Sequence, residues 1–195
     1  MMNKREKIIH AAIEAFRDKG IEKTKISDIV TLAGIAQGTF YLYFPSKLAV
    51  MPAIAEVMIE KTIAAVKEHV QEEASFLTKL EQMIDAIFIV TRDYREVLSL
   101  IYAGLAATEY IKEWETIYEP FCSWVRNFLQ QAKTSGIIRD SIDVERTAKL
   151  VIGLIESAAE QIYLYDFKQE DKVLVQKAEV LEFLKHALHV REVQE

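Results

Sequence analysis

A single cysteine, Cys122, stands in a chain of 195 residues. One thiol permits no intrachain disulfide and no cysteine-based zinc site. Glycine and proline are also scarce, at six and three, so few positions force a helix to stop. No apolar run comes near the roughly 20 residues that a membrane-spanning helix needs; the longest strongly apolar stretch is 86–90. The opening residues, MMNKREKIIHAAIEAF, are charged throughout and hold no cleavable apolar core. A secretory leader is therefore not expected, and the chain is expected in the cytoplasm. Neither a Gly-rich phosphate loop nor a nucleophile elbow occurs. Of the four histidines, His10, His69, His186 and His189, only the last two share a helix face. That spacing suits a metal, but histidines near a helix C-terminus are ordinarily solvated. Cys122, between Phe121 and Trp124, fits a buried inert thiol. Neither catalysis, nor a metal, nor a cofactor is expected.

Hydrophobic residues make up 51% of the chain, enough for a substantial core. No stretch alternates with period two, which predicts an all-α fold. The net charge is −6, unevenly placed: residues 1–47 hold eight Lys/Arg and five Asp/Glu, a net of +3, which leaves −9 for the rest. A basic head on an acidic body suits a polyanion partner at one end only.

Taken in order, the apolar residues Ile8, Ile9, Ala12, Ile13 and Phe16 predict a helix over 4–19, capped by Asn3 with Glu6 three residues on and ended by Gly20. Thr24 is the expected cap of the next helix. A small three-helix core is expected from Ile9, Ile13, Phe16, Ile26, Ile29, Val30, Leu32, Ile35, Phe40 and Phe44. Pro45 stops the third helix, and Ser46 caps a fourth, expected over 47–71. Pro52 falls inside it and predicts a kink or brief break. Further helices are expected over 75–92, 95–107, 111–135 (with Pro120 as a second kink), from Asp143 to 165, and 170–190, about nine in all. Domains are expected at 1–46 and 47–195.

The stretch SDIVTLAGIAQGTFYLYFPSK, residues 27–47, is helix, Gly-containing turn and helix, with polar and aromatic side chains on the second helix. A DNA-binding helix-turn-helix needs this layout, one helix bracing while the next lies in the major groove. Gly34 sits where a left-handed residue ends a helix. Gly20, Thr24, Ile29, Ala33-Gly34, Gly38-Thr39, Tyr41, Phe44 and Lys47, at these spacings, resemble the TetR-type (tetracycline-repressor-like) family of transcriptional regulators. The resemblance covers the first quarter of the chain. One departure is Ala36, where the family often has Ser. Alanine cannot cap, at a cost of about 1 kcal/mol.

The resemblance implies an all-α homodimer: a head of three helices on DNA, central helices around a small-molecule pocket, and a four-helix dimer bundle from the last two helices of each subunit. Such proteins usually repress genes next to their own and release a palindromic double-stranded operator when a ligand binds. Gln37 and Thr39 are the candidate base contacts, since Gln pairs bidentately with adenine and Thr bonds a base edge or touches a thymine methyl. Gly38 costs helix propensity and permits close backbone approach to DNA. Tyr41 and Tyr43 offer hydroxyls to phosphates, Tyr43 in the outer position. Lys25, Ser27 and Lys47, near helix starts, are the remaining candidate phosphate contacts.

In the body, Phe88, Tyr102, Trp114, Tyr118, Phe121 and Tyr163 are the candidate ligand-binding residues, for an effector expected to be apolar or aromatic. An aromatic stripe can equally be plain core, although buried Tyr and Trp need polar partners. Gly153, Ser157, Ala158 and Ala159 let helices approach closely, as a dimer bundle requires. A competing reading is a helical small-molecule-binding protein without sequence-specific DNA binding. A membrane partner is not expected, because no basic amphipathic helix is present.

Overall fold

Helical spacing of apolar residues governs the molecule from its first segment onward. The computed structural model describes residues 2–106, 113–165 and 172–191; the side chains of 103–106 and of Trp114 lie outside that description, as does Tyr110. Among the described residues all regular structure is helical: α1 (Lys4–Lys23), α2 (Ile26–Ala33), α3 (Gln37–Tyr41), a 3-10 turn (Leu48–Val50), α4 (Met51–His69), α5 (Phe76–Asp93), α6 (Arg95–Ala106), α7 (Trp114–Thr134), α8 (Val144–Glu160) with a π-helical turn (Gln161–Tyr165), and α9 (Val173–Leu188). This agrees with the all-α expectation and its helix count.

Two compact units form, one from residues 1–58 and 96–117, the other from 59–95 and 118–195. In the first, α1 begins with a capping box. Asn3 Oδ1 accepts the Glu6 N–H at 2.9 Å, and Glu6 Oε2 accepts the Asn3 N–H at 3.0 Å. Its apolar stripe buries Ile8, Ile9, Ala12 and Phe16 where α1 packs on α2, and Ile29, Val30, Phe40 and Phe44 are buried in the same unit. Each large side chain contributes roughly 1.5–3 kcal/mol by leaving water. Leu32, expected in this core, is 49% exposed, because it falls off the edge of the stripe formed by Ile29, Val30 and Ala33. Ile13, Ile26 and Ile35 are only half-buried. Arg5 reaches Glu56 of α4 at 3.0 Å and lies over the Phe44 ring at 5.8 Å.

Two local expectations change, at Thr24 and Pro52, while Gly20 breaks α1 as expected: it takes φ 76 and ψ 158, and one further turn follows to Lys23. Only a residue without Cβ holds that backbone cheaply. Thr24 does not cap α2. Its side chain turns inward, 2% exposed, and Oγ1 donates to Ala15 O at 3.0 Å and Gly20 O at 2.7 Å. Lys25 stands at the cap position, with Asp28 Oδ2 accepting its N–H at 2.8 Å. Pro52, expected in a helix interior, is the second residue of α4. There the missing N–H is one that a first turn does not pair within the helix. The change from 3-10 to α winding comes just before it, and Ser46 Oγ caps the 3-10 turn at Ala49 N, 3.2 Å.

The second unit packs α5, α8 and α9 together, with α7 supplying buried Phe121, Val125 and Leu129. Ser75 and Asp143 cap α5 and α8. The connector 137–142 buries Ile138 and Ile142 and is tied to the end of α9 by Arg139 N to Leu188 O (3.2 Å) and Arg191 N to Ile137 O (2.9 Å). No described helix is long and apolar enough to cross a membrane.

Candidate nucleic-acid interface and effector site

The turn between α2 and α3 is built by backbone bonds that glycine makes possible. Gly34 takes φ 64 and ψ 40, its N–H bonds Thr31 O at 3.2 Å, and Ile35 N bonds Val30 O at 3.1 Å. This is the left-handed helix end expected from the sequence. The start of α2 is fixed by Asp28, whose carboxylate takes the Lys19 ammonium at 2.7 Å. That hydrogen bond first, and the Lys25 N–H next, hold its carboxyl below the usual range.

Helix α3 is short, five residues, and its cap Ala36 makes no side-chain bond. What anchors it is Phe40, fully buried, with the ring of Tyr41 edge-on to it at 5.7 Å. Gln37 and Gly38 are exposed and Thr39 is half-buried. A Cβ at Gly38 would meet nothing within 4 Å. The helix ends at Tyr41, so Tyr43 lies beyond it in the following turn rather than on it. Tyr41 and Tyr43 are 50% and 44% exposed, with Leu42 between them at 82%. Gln37, Gly38, Tyr41, Leu42 and Tyr43 thus offer polar and apolar groups to solvent on one short segment, the chemistry that base edges and phosphates accept. Lys25 and Ser27 are exposed at the start of α2.

Lys47 is placed otherwise. Its ammonium donates to three backbone carbonyls, Ile21 O at 2.5 Å, Thr24 O at 2.8 Å and Glu22 O at 3.2 Å. An ammonium has three N–H donors, and all three are engaged.

Of the six candidate ligand residues, Phe88 and Tyr163 meet edge-to-face at 6.3 Å in the second unit, both buried. Lys177 Nζ lies 5.4 Å from the Phe88 ring centre while paired with Asp85 at 2.8 Å. Phe121 is fully buried. Tyr118 directs its hydroxyl to both carboxylate oxygens of Glu156, at 3.1 and 3.0 Å. Tyr102 is half-buried on α6 in the first unit. Trp114 is in the first turn of α7, its side chain outside the described residues. Three grooves are lined by other described residues. One of about 620 Å³ is bounded by Lys67, Lys79, Trp124 and Phe128. Two of about 460 and 520 Å³ run along α8 and α9, both touching Leu154 and Phe183.

Glu156 escaped the sequence reading. Part of the residue remains accessible, but its carboxyl is enclosed. Burial pushes its pKa up to about 8, against the Tyr118 hydrogen bond and with help from Glu160. The signal was legible: an acid four residues from Ile152 and one from Ile155, within the apolar face of α8. Cys122 is also buried, and burial first, then Glu119, raises its thiol pKa. His186 Nδ1 lies 2.7 Å from Glu182 O.

Comparison with known proteins matches residues 8–54 to a family described as bacterial regulatory proteins, tetR family, and residues 80–188 to a tetracyclin repressor-like C-terminal domain. An uncharacterized HTH-type transcriptional regulator of Bacillus subtilis (strain 168), YvdT, is 42% identical over 95% of both chains. The fatty acid metabolism regulator protein of the same organism is 26% identical over 97% of this chain and 99% of its own. The crystal structure of the transcriptional regulator FadR from Bacillus subtilis in complex with stearoyl-CoA superposes with a TM-score of 0.75 at 24% identity, covering 91% of this chain and 96% of that one.

Proposed function

The chain belongs to the tetR family of bacterial regulatory proteins and is a ligand-responsive, DNA-binding transcriptional regulator, and from that premise we propose that it is a cytoplasmic homodimeric repressor which a long-chain acyl-CoA releases from its operator. The observation that carries the DNA half is the exposed α3 segment on a buried Phe40 anchor. In this reading residues 1–46 form the reading head and 47–195 the effector and dimer body. Gln37 and Thr39 face base edges, with Gly38 admitting close approach. Tyr41, Tyr43, Lys25 and Ser27 face phosphates.

The effector class follows from the similarity to a fatty acid metabolism regulator and to the stearoyl-CoA-bound FadR structure. It accords with an interior rich in Phe88, Phe121 and Tyr163, and with an apolar effector. The dimer proposal rests on α8 and α9. Leu150, Leu174, Val175 and Phe183 are 71%, 79%, 63% and 64% exposed on them, an apolar surface of the kind that marks an interface. A two-fold operator read by one short helix per subunit also requires two copies.

The test is fluorescence anisotropy with duplex DNA from upstream of the protein's own gene. Specific, salt-sensitive binding that micromolar stearoyl-CoA or palmitoyl-CoA abolishes is the expected result. Binding that ignores every acyl-CoA chain length removes the effector proposal, and absence of any specific binding removes the operator proposal.

A further inference from the structure

The placement of Lys47 assigns it a different task from touching DNA. The residue follows the α3 turn and precedes the 3-10 turn of 48–50, so it marks the end of the reading segment. The carbonyls it holds, of Ile21, Glu22 and Thr24, mark its beginning. Thr24 and Lys47 are 23 residues apart in sequence, and α2, the turn and α3 all lie between them. A single ammonium thus closes the loop that contains the whole reading pair.

The need for such a clasp follows from the backbone. After Lys23 the chain turns extended at Thr24, φ −71 and ψ 130, so the carbonyls of Ile21 and Glu22 meet no further helical N–H. Orphan carbonyls at a helix end require a donor. Thr24 faces inward and gives its hydroxyl to Ala15 and Gly20; from the other side Lys47 supplies three charged donors, and hydrogen bonds to ions are the strong ones. The receiving site suits lysine in particular. Three carbonyl oxygens converge on one nitrogen, which a compact ammonium satisfies and a planar guanidinium does not. Meanwhile α3 is five residues long, has an uncapped start, and is anchored by the buried Phe40. Its orientation therefore depends on how firmly the two ends of the segment are fixed.

We propose that Lys47 is a positioning residue for DNA binding, an internal clasp that fixes both ends of the α2–α3 reading segment, and not a phosphate contact. This rests on the DNA-binding reading above, and its test separates the two. Operator affinity of wild type, Lys47→Ala, Lys47→Arg and Lys25→Ala is measured against salt concentration, with amide hydrogen exchange on the free proteins. A lost phosphate contact flattens the slope of log K against log [salt] by about 0.9, and arginine restores it. A lost clasp weakens operator binding about tenfold or more, the worth of one strong hydrogen bond. It leaves the slope at its wild-type value, is not rescued by arginine, and speeds amide exchange at Asp28 and Ile29, whose N–H groups bond Lys25 O. Lys47→Arg serves alone if Lys47→Ala does not fold. Unchanged affinity, or a flattened slope rescued by arginine, overturns the proposal. Should wild type bind no DNA, the functional reading fails, and the exchange data alone decide on the clasp: unchanged protection at Asp28 and Ile29 overturns it.

Discussion

The hydroxyl of Tyr118 on α7 rests 3.1 and 3.0 Å from the two carboxylate oxygens of Glu156 on α8, with the acid's pKa pushed up to about 8. A carboxyl whose folded pKa lies above its ordinary 4.5 binds a proton more readily in the folded state than in the unfolded one. Stability then falls as pH rises between those two values and levels off above about 8.

Glu156→Gln removes that titration while keeping the Tyr118 contact, since an amide oxygen still accepts. Thermal unfolding from pH 5 to 9 should show the wild-type melting temperature sinking toward pH 8, with a shallower fall in the variant. Parallel curves for the two proteins would place the pH dependence elsewhere.

In the proposed DNA-binding reading, Gly38 trades stability for access. An alanine Cβ there meets nothing within 4 Å, and alanine is favoured over glycine in a helix by up to about 1 kcal/mol. Gly38→Ala should raise the melting temperature by about 2–4 °C and weaken operator binding by anisotropy. A variant that is both more stable and equally tight on DNA would deny the close approach of this backbone.

Gln37 and Lys25 should fail in different ways. Gln37→Ala is expected to cost about 1–3 kcal/mol on the operator, relax preference at one base pair and spare the salt slope. Lys25→Ala should weaken binding to all sequences alike and reduce the slope by about 0.9. Titrations over a range of salt with operator and random duplexes distinguish them.

Phe183 is 64% exposed and borders both grooves of the α8–α9 surface. Phe183→Lys places a charge on that apolar face and should give monomers by light scattering, with operator affinity falling by several orders of magnitude as the second half-site contact is lost. A dimer of unchanged affinity would move the interface away from these helices.

What was legible in the sequence was mostly local. Asn3 with Glu6, Asp143 and the left-handed Gly34 act over three or four residues, and each appears where its spacing puts it. What escaped was set by distant partners. Thr24 looks like a cap until Ala15 is seen nine residues behind it. Lys47 looks like a free cation until carbonyls 23 to 26 residues earlier surround it. Glu156 is an acid on an apolar face until Tyr118, 38 residues away, supplies its partner. Tyr43 lies outside the helix because α3 closes at Tyr41, four residues before Pro45, and the chain turns sooner than the apolar pattern implies.

The buried thiol of Cys122 has a practical consequence. With its pKa raised and its surface covered, it stays protonated and slow toward maleimides near neutral pH. A second cysteine placed at Leu42, 82% exposed beside the reading helix, would carry label almost alone. Two nitroxides at that position, one per subunit of the proposed dimer, would turn the spacing of the reading heads into a directly measurable distance, with and without effector, on the otherwise unaltered protein.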